Sequence, residues 1–562
     1  MTNQHRLQLD GKVVFTVIAV VIVTATVILI RLIGLNVVSD DFFTFTKHWV
    51  HFIAQYGAAA ALRYDFSNYA PPYLYLLSVA HMLFPDVTAL HLVKLISIPF
   101  DFLCALGVYL NVRAFTQNRV AHAVCISAVL LCPTVVLNSA YWGQADAIYT
   151  SLLLLSLWLL VSRRTTFAML FYSLAFAFKL QAIFLLPLYI YLTFEGNINW
   201  RLWLFLPTTL LLAAIPVVMT GRPVLDALSI YVGQIGIKEQ LTNNAPSIFQ
   251  WLPHEPIVTL GLAGLGLAAL FVVALWLWQI LRHQPSSDHI LHIAMALAIG
   301  IPFLLPRMHD RYFYVADVLS IVLAIKDRRM RFAPFLIVGA SLSAYIDYFA
   351  QTEVIPLSLA ACLNLIAWLN TLWALKMRMG ETVKTGHEAP AIPAKYFRVA
   401  TAVLFATVVA LAVASAYGNG ARERLDAAST AAVFRLNNGE VTLHSPTAAR
   451  CADGIHIQYI WSGPAGLADL KPITIFVHGL DADHRTIAQT DGKVDRRFPL
   501  NALDRAYAEQ LTLATDNAQS IRYIEIGLYF ADTMQRFQAF RYDGSEISGN
   551  SYIYPVGVDP CA

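Results

Sequence analysis

At 562 residues the chain is 57% hydrophobic and only 13% charged, about half the charge content of a soluble globular protein. That composition excludes a cytosolic enzyme, a disordered chain and a nucleic-acid binder, and a formal net charge of +3 is too small to imply a polyanionic partner. Charge is unevenly spread: residues 418–562 hold 13 Lys and Arg and 17 Asp and Glu, against 26 and 19 in residues 1–417. The pattern predicts a membrane body, 1–417, followed by a soluble acidic domain, 418–562.

A hydrocarbon core of about 30 Å needs about 20 apolar residues in a helix. In chain order the candidate spans are 13–35, 93–112, 120–138, 147–161, 166–180, 182–194, 202–220, 257–281, 290–306, 312–325, 332–350, 355–375 and 399–416. The first is too long for a removed signal peptide and lacks a small-residue cleavage site, so it is expected to stay as an anchor. A further stretch, 71–85, is short and opens with Pro71-Pro72. Basic connections lie at Arg113/Arg119, Arg163-Arg164, Lys326–Arg331 and Lys376–Arg398. If 71–85 crossed, the first two would fall outside; if it lies in the interface, all four share the cytoplasmic side with Arg6 and Lys12, as the positive-inside rule prefers. The expected topology has about 13 spans in the inner membrane, the N-terminus in the cytoplasm and the C-terminal domain outside. The outer face then receives the first outer loop 36–92 and the turns near 139–146, 180–181 and 307–311, with the loop 221–256. No internal repeat is evident, which weakens a transporter built from inverted halves.

Beyond the boundary Tyr417-Gly418-Asn419-Gly420, alternating runs at 440–443, 455–461, 473–477, 521–530, 537–542 and 551–554 read as strands of an antiparallel β-sandwich. Cys104, Cys125, Cys132 and Cys362 lie in apolar stretches and read as small buried hydrophobes. Cys451 and Cys561 could pair in an oxidising compartment, closing a loop of about 110 residues worth ~4–5 kcal/mol. Val477-His478-Gly479 with Asp481 and His484 looks faintly hydrolase-like, but no GxSxG elbow accompanies it.

Three groups of polar residues on the expected outer face could carry chemistry. Ser39-Asp40-Asp41 directly follows the first span and reads either as a helix cap or as a general base. Asn138–Asp146 packs Tyr141, Trp142, Gln144 and Asp146 into one turn; the aromatics could belong to the interfacial belt and Asp146 could cap its helix. Arg307-Met308-His309-Asp310-Arg311-Tyr312 places cations where topogenic signals should be absent, and the bidentate arginine fork suits an anion. Lys179 and Gln181 could join it, and Asn243-Asn244 add donors. Lys94 and Asp101, seven residues apart within a span, share a helix face about 10 Å apart and cannot pair directly; ionisable residues there read as functional.

Taken together, Ser39-x-Asp41-Phe42, Trp49, Phe66-Ser67-Asn68-Tyr69-x-Pro71-Pro72-Tyr73-Leu74-Tyr75, Asn138-Ser139-x-x-Trp142-Gly143-Gln144-x-Asp146, Lys179-x-Gln181 and Met308-His309-x-Arg311-Tyr312-Phe313-Tyr314 resemble a bacterial GT-C glycosyltransferase family. It is the one related to the second mannosyltransferase of GPI-anchor assembly. The likeness covers residues 13–350, and Asp310 stands where that family commonly has Glu. The stretch Phe476-Val477-His478 through Ile526-Gly527-Leu528-Tyr529 is similar to β-sandwich modules appended to other bacterial GT-C proteins, without the tryptophan expected after Phe498-Pro499.

The resemblance implies an inverting mannosyltransferase using a polyprenyl-phosphate-linked sugar donor. Asp41 would be the general base. Arg307, His309, Arg311 and Lys179 would hold the donor phosphate, and Asp40, Trp142, Gln144, Asp146, Gln181, Asn244 and Tyr312 would bind sugar or acceptor. The acceptor would be a hydroxyl of a protein, glycolipid or polysaccharide. Asp40, Asp41 and Asp146 could hold a divalent cation, but the acidic ligands are too few to require a metal. A polytopic lipid or solute transporter is the competing reading.

Overall fold

The computed structural model describes residues 11–64, 66–233, 241–252, 258–281, 289–350 and 354–383 of the helical part, and 430–436, 439–451, 454–462, 473–493, 507–513, 518–530, 535–541 and 545–556 beyond it. The expected span 399–416, the boundary at 417–420, Phe498-Pro499, Cys561 and the side chain of Cys451 lie outside the described residues, and with them the expected disulfide.

After α1 (Gly11–Leu35) come α2 (Lys47–Tyr56), the single turn α3 (Ala58–Ala61) and α4 (Pro71–Leu83). The chain continues through α5 (Ala89–Arg113), α6 (Arg119–Leu130), α7 (Pro133–Val136), α8 (Asp146–Val161), α9 (Thr165–Phe178), α10 (Leu186–Phe194) and α11 (Phe205–Met219). Next are α12 (Val224–Gly233), α13 (Val258–Leu281), α14 (Ile290–Leu304), α15 (Tyr314–Lys326), α16 (Ala333–Ala350) and α17 (Leu357–Val383). Local chemistry starts several of them. Pro71 and Pro133 stand at first helical positions, where the missing N–H costs nothing. Asn118 Oδ1 accepts from the Val120 N–H at 2.9 Å, an ordinary side-chain cap.

Among the described residues, six helices are long and apolar enough to cross a membrane alone: Val17–Leu35, Ala89–Arg113, Trp200–Met219, Leu260–Gln279, Arg328–Ala350 and Leu357–Met379. A bent pair, Arg119–Leu130 with Pro133–Trp142, would make a seventh broken span, its halves 45° apart. Thirteen is therefore not reached by length. The remaining candidates form α8, α9, α10, α14 and α15, of 16, 14, 9, 15 and 13 residues. They are short because polar turns interrupt the apolar runs, at Asn138–Asp146, Lys179–Gln181 and Arg307–Tyr312. They are also largely surrounded by protein: every residue of α14 is buried. The expected interfacial stretch 71–85 forms the 13-residue α4, too short to span by itself. At the basic end of α15, Asp327 accepts from Arg378 Nε at 2.8 Å and hydrogen-bonds His292 Nε2 at 3.2 Å, tying α14, α15 and α17 together.

Contacts divide the chain into two compact units, Met1–Ser39, Asp86–Leu212 and Glu239–Ala400 in the first, and Asp40–Pro85, Ala213–Lys238 and Thr401–Ala562 in the second. This differs from the linear division at 417/418. Packing inside the second unit joins stretches far apart in sequence: Arg222 Nη1 donates to the Tyr64 carbonyl at 3.3 Å and the Tyr75 hydroxyl donates to the Ala213 carbonyl at 2.6 Å. Within the stretch Asp40–Pro85, Phe52 stacks on Phe66 at 4.7 Å.

Two short strands, β1 (Thr242–Asn243) and β2 (Met308–His309), pair in parallel within the helical part. The C-terminal strands are β3 (Thr430–Leu436), β4 (Gly439–Cys451), β5 (Gly454–Ser462), β6 (Ile473–Leu480), β7 (Thr486–Lys493), β8 (Tyr507–Leu513), β9 (Tyr523–Phe530), β10 (Gln538–Phe540) and β11 (Tyr552–Pro555). They form antiparallel sheets of order β10-β3-β4-β5-β8 and β11-β9-β6-β7. Alternation sends Ile475 and Val477 of β6 and Ile524, Ile526 and Leu528 of β9 into one core with Phe434, Ile457 and Trp461 of the other sheet. On the opposite face of β9, Glu525 takes a hydrogen bond from Ser551 Oγ at 2.6 Å, pairs with His478 Nδ1 at 2.9 Å and accepts from Arg536 Nη1 at 3.2 Å. His478 is thus a partner of Glu525, and Ser551 is bonded to that carboxylate as well.

The hydrogen bond from His478, aided by Ser551 and Arg536 and opposed by burial, holds the Glu525 carboxyl down at about 2, against 4.5 in an unfolded chain. A depressed acid stabilises the fold above its unfolded value, so this contribution is complete above pH 4.5 and is lost as pH falls towards about 2. Thermal unfolding of the full chain, followed through its β-sheet signal, should show that loss in this window, and Glu525→Gln should remove the dependence.

Candidate functional site

The site is built around Asp146, the first residue of α8 and wholly buried. It makes no side-chain cap to its own helix. Its Oδ1 accepts from Lys179 Nζ at 2.6 Å, and its Oδ2 accepts from Asn138 Nδ2 at 3.0 Å. Arg311 Nε stands 3.6 Å from the same Oδ2 and Nη1 lies 3.5 Å from Asp310 Oδ1. One carboxylate therefore gathers two cations from separate turns. Asn138 also donates to the Tyr345 hydroxyl at 3.2 Å, which fixes its amide from the far side.

Each member arrives by a break in a helix. Lys179 ends α9 in an extended conformation and a 3-10 turn, Leu180–Leu185, follows it. Asn138 and Trp142 lie on a π-helical stretch, Leu137–Trp142, closed by Gly143 at φ 79°. π-helical turns inside helices are uncommon and recur at functional sites. A second one, Phe42–Thr46, follows Asp41 directly.

Aromatic faces complete the lining. The Trp142 ring stacks on Tyr348 at 3.9 Å and lies 5.5 Å beneath the Arg311 guanidinium. Lys179 Nζ sits 5.7 Å from the Tyr149 ring centre. Such contacts hold cations that are largely cut off from water.

The loop carrying Arg307–Arg311 is clamped by backbone pairing. Arg307 N–H donates to the Leu241 carbonyl at 2.8 Å and Asp310 N–H to the Asn243 carbonyl at 3.0 Å. Asn244 and Arg307 both adopt left-handed backbone, φ 56° and 63°, a strained choice for residues other than glycine.

The structure thus brings together Trp142, Asp146, Lys179 and Arg311, with Asp310 beside Arg311. Gln181 hydrogen-bonds Tyr312, and Asn244 bridges to His309. Gln144 is buried, its N–H donating to the Asn138 carbonyl at 2.9 Å. Three of the expected residues have distinctive placements. Arg307 is exposed and takes part through its backbone. Trp142 is 2% exposed, with its ring beneath the Arg311 guanidinium. Asp146 has both oxygens occupied and orders the cations. Asp40 and Asp41 belong to the second unit, where Asp40 is exposed and Asp41 half-buried. Asp41 makes no capping bond to the π-helical turn that follows it. No group of three His, Cys, Asp or Glu side chains among the described residues is arranged to hold a metal ion, so the divalent-cation reading gains no support.

Sequence reasoning missed Asn138 as a ligand of Asp146, although it opens the motif, and missed Tyr345 and Tyr348. Their signal is an aromatic stripe on α16, Tyr345-x-x-Tyr348-Phe349, at helical spacing. Compared with family models and with curated proteins, the chain finds no match.

Removing one partner of a buried ion pair leaves the other charge uncompensated, at a cost of about 3–5 kcal/mol. Asp146→Ala should therefore lower the unfolding midpoint in detergent sharply, while Asp146→Asn, which keeps shape and an acceptor, should cost less.

Proposed function

We propose that the chain is a membrane glycosyltransferase, moving a sugar from a polyprenyl-phosphate donor to an acceptor hydroxyl at the outer membrane face with inversion. The observation that carries the reading is the convergence of Lys179 and Arg311 on buried Asp146. A phosphate leaving group needs cations held in place before it arrives, and preorganised charge in a water-poor site is the strongest electrostatic aid to such a step. Arg311 has five N–H donors, so it can serve Asp146 and a phosphate together, with His309 beside it. Gln181, Tyr312 and Asn244 supply hydroxyl-binding groups around them.

Asp41 is the base in this reading. It takes the acceptor proton as the acceptor oxygen attacks the anomeric carbon and the bond to the phosphate oxygen breaks. The leaving phosphate carries its own negative charge, so no second carboxylic acid is needed, unlike a glycosidase. We read the six or seven long helices and the short buried ones together as a GT-C-like body in the inner membrane, and the two C-terminal sheets as a sandwich. The inclusion of Asp40–Pro85 and Thr401–Ala562 in one compact unit supports an extracytoplasmic placement for both. Mannose follows from the family resemblance.

Purified protein given a polyprenyl-phosphate sugar and an acceptor glycan should form a new glycosidic bond. Asp41→Asn should stay folded and lose about 10²- to 10⁴-fold in kcat, the range of general-base catalysis. Arg311→Ala should weaken donor binding more than acceptor binding. A transporter would move the lipid across vesicles and form no bond.

A further inference from the structure

Lys94 lies within a membrane-spanning helix and takes no part in the Asp146 cluster. It is 1% exposed and carries no carboxylate partner among its hydrogen bonds. Its ammonium donates to the Gly34 carbonyl at 2.7 Å, to the Leu35 carbonyl at 3.2 Å and to the Val37 carbonyl. Gly34 and Leu35 end α1, where carbonyls lack partners within the helix and the helix dipole also favours a cation; Val37 lies just beyond, its N–H closing back on the Gly34 carbonyl at 3.0 Å. Lys94 is therefore the cap of α1, supplied from α5.

The same side chain reaches the Trp142-Gly143-Gln144 turn. A Cβ on Gly143 would lie 3.1 Å from Val93 Cγ1 and 3.5 Å from Lys94 Cγ, so the turn rests on the start of α5. Ser39 Oγ closes the junction by donating to the Trp142 carbonyl at 3.2 Å. α1 comes so close to this turn that a Cβ on Gly34 would stand 2.6 Å from the Tyr141 ring. Seven residues further along α5, Asp101 accepts from Arg31 Nη2 at 2.8 Å and Ser139 Oγ at 2.6 Å. Two turns of α5 thus grip both α1 and the π-helical stretch, and Lys94 is the upper grip.

We infer that Lys94 is a positioning residue: it fixes the segment Asn36–Ser39, which runs directly into Asp40 and Asp41, to the turn that carries Trp142 and Asp146. The catalytic part of this inference rests on the glycosyltransferase reading; the anchoring part does not. The test is amide hydrogen exchange, by mass spectrometry on the full chain in detergent, together with transfer kinetics, for Lys94→Met, Lys94→Gln and Ser39→Ala.

Lys94→Met should speed exchange in peptides covering Leu35–Asp41 by at least about tenfold, the equivalent of one charge-assisted hydrogen bond. Ser39→Ala should speed it by about two- to fivefold, and Lys94→Gln, which keeps two donors, should fall between wild type and Lys94→Met. In transfer assays kcat should drop about 10- to 100-fold with donor KM held, as misplacement of a reacting group predicts. A merely structural lysine would instead raise exchange throughout α5 and α8 and change KM and kcat together. Unchanged exchange at Leu35–Asp41 in Lys94→Met overturns the inference. If that variant does not fold, unchanged exchange in Lys94→Gln and Ser39→Ala overturns it equally. If the wild type transfers no sugar, the functional reading fails and the exchange result still decides the anchoring.

Discussion

The arrangement of the first unit depends on one buried carboxylate. Asp146 accepts from Lys179 and Asn138 and faces Arg311, so removing its charge would take a shared carboxylate from two buried cations, leaving Asp310 beside Arg311. Ion pairs of this kind are weak sources of stability because desolvation cancels much of the attraction. Their value lies in specificity. Only one relative placement of the start of α8, the end of α9 and the turn before α15 lets Lys179 and Arg311 meet the same two oxygens. The helices around them are short for the same reason: each must end where its polar residue reaches the cluster.

A second pin joins Arg31 to Asp101 at 2.8 Å. Arg31 also donates to the Leu130 carbonyl at 2.9 Å and Ser139 Oγ to the same Asp101 oxygen at 2.6 Å, while Asp101 Oδ1 has no hydrogen-bond partner. Its partners are backbone and neighbouring helices. The Asp146 cluster adds polar groups with unfilled capacity, such as Gln181 Oε1 and Asn243 Nδ2, which have no hydrogen-bond partner. Buried polar groups are normally satisfied, so both clusters hold polar capacity that their own side chains do not fill.

Much of this was legible in the sequence. The charge deficit pointed to helices that could span a membrane, which the structure contains, and the Arg-His and Trp-Gly-Gln-x-Asp turns marked residues that do converge. Six C-terminal runs with clean alternation, such as Ile473–Val477, coincide with strands. What escaped were features without a local signature. β7 reads Thr-Ile-Ala-Gln-Thr-Asp-Gly-Lys and is recognisable as a strand only by its pairing with β6. Lys94 and Asp101 looked like functional charges within a span, and their partners, Gly34 and Arg31, lie some sixty to seventy positions earlier in the chain, where no local pattern shows them. The π-helical turns were invisible because no residue preference specifies them. Length alone supports six or seven of the expected spans among the described residues, and a helix enclosed by protein has no need to match the bilayer thickness.

The second unit is assembled from three separated stretches of chain, Asp40–Pro85, Ala213–Lys238 and Thr401–Ala562. The two C-terminal sheets nevertheless close a core drawn wholly from residues 432–554. Cutting the chain near residue 417 would therefore remove one of the three stretches while leaving that core in one piece. A stretch that looks like an appendage in the linear sequence has its own interior and still shares a compact unit with two stretches far upstream.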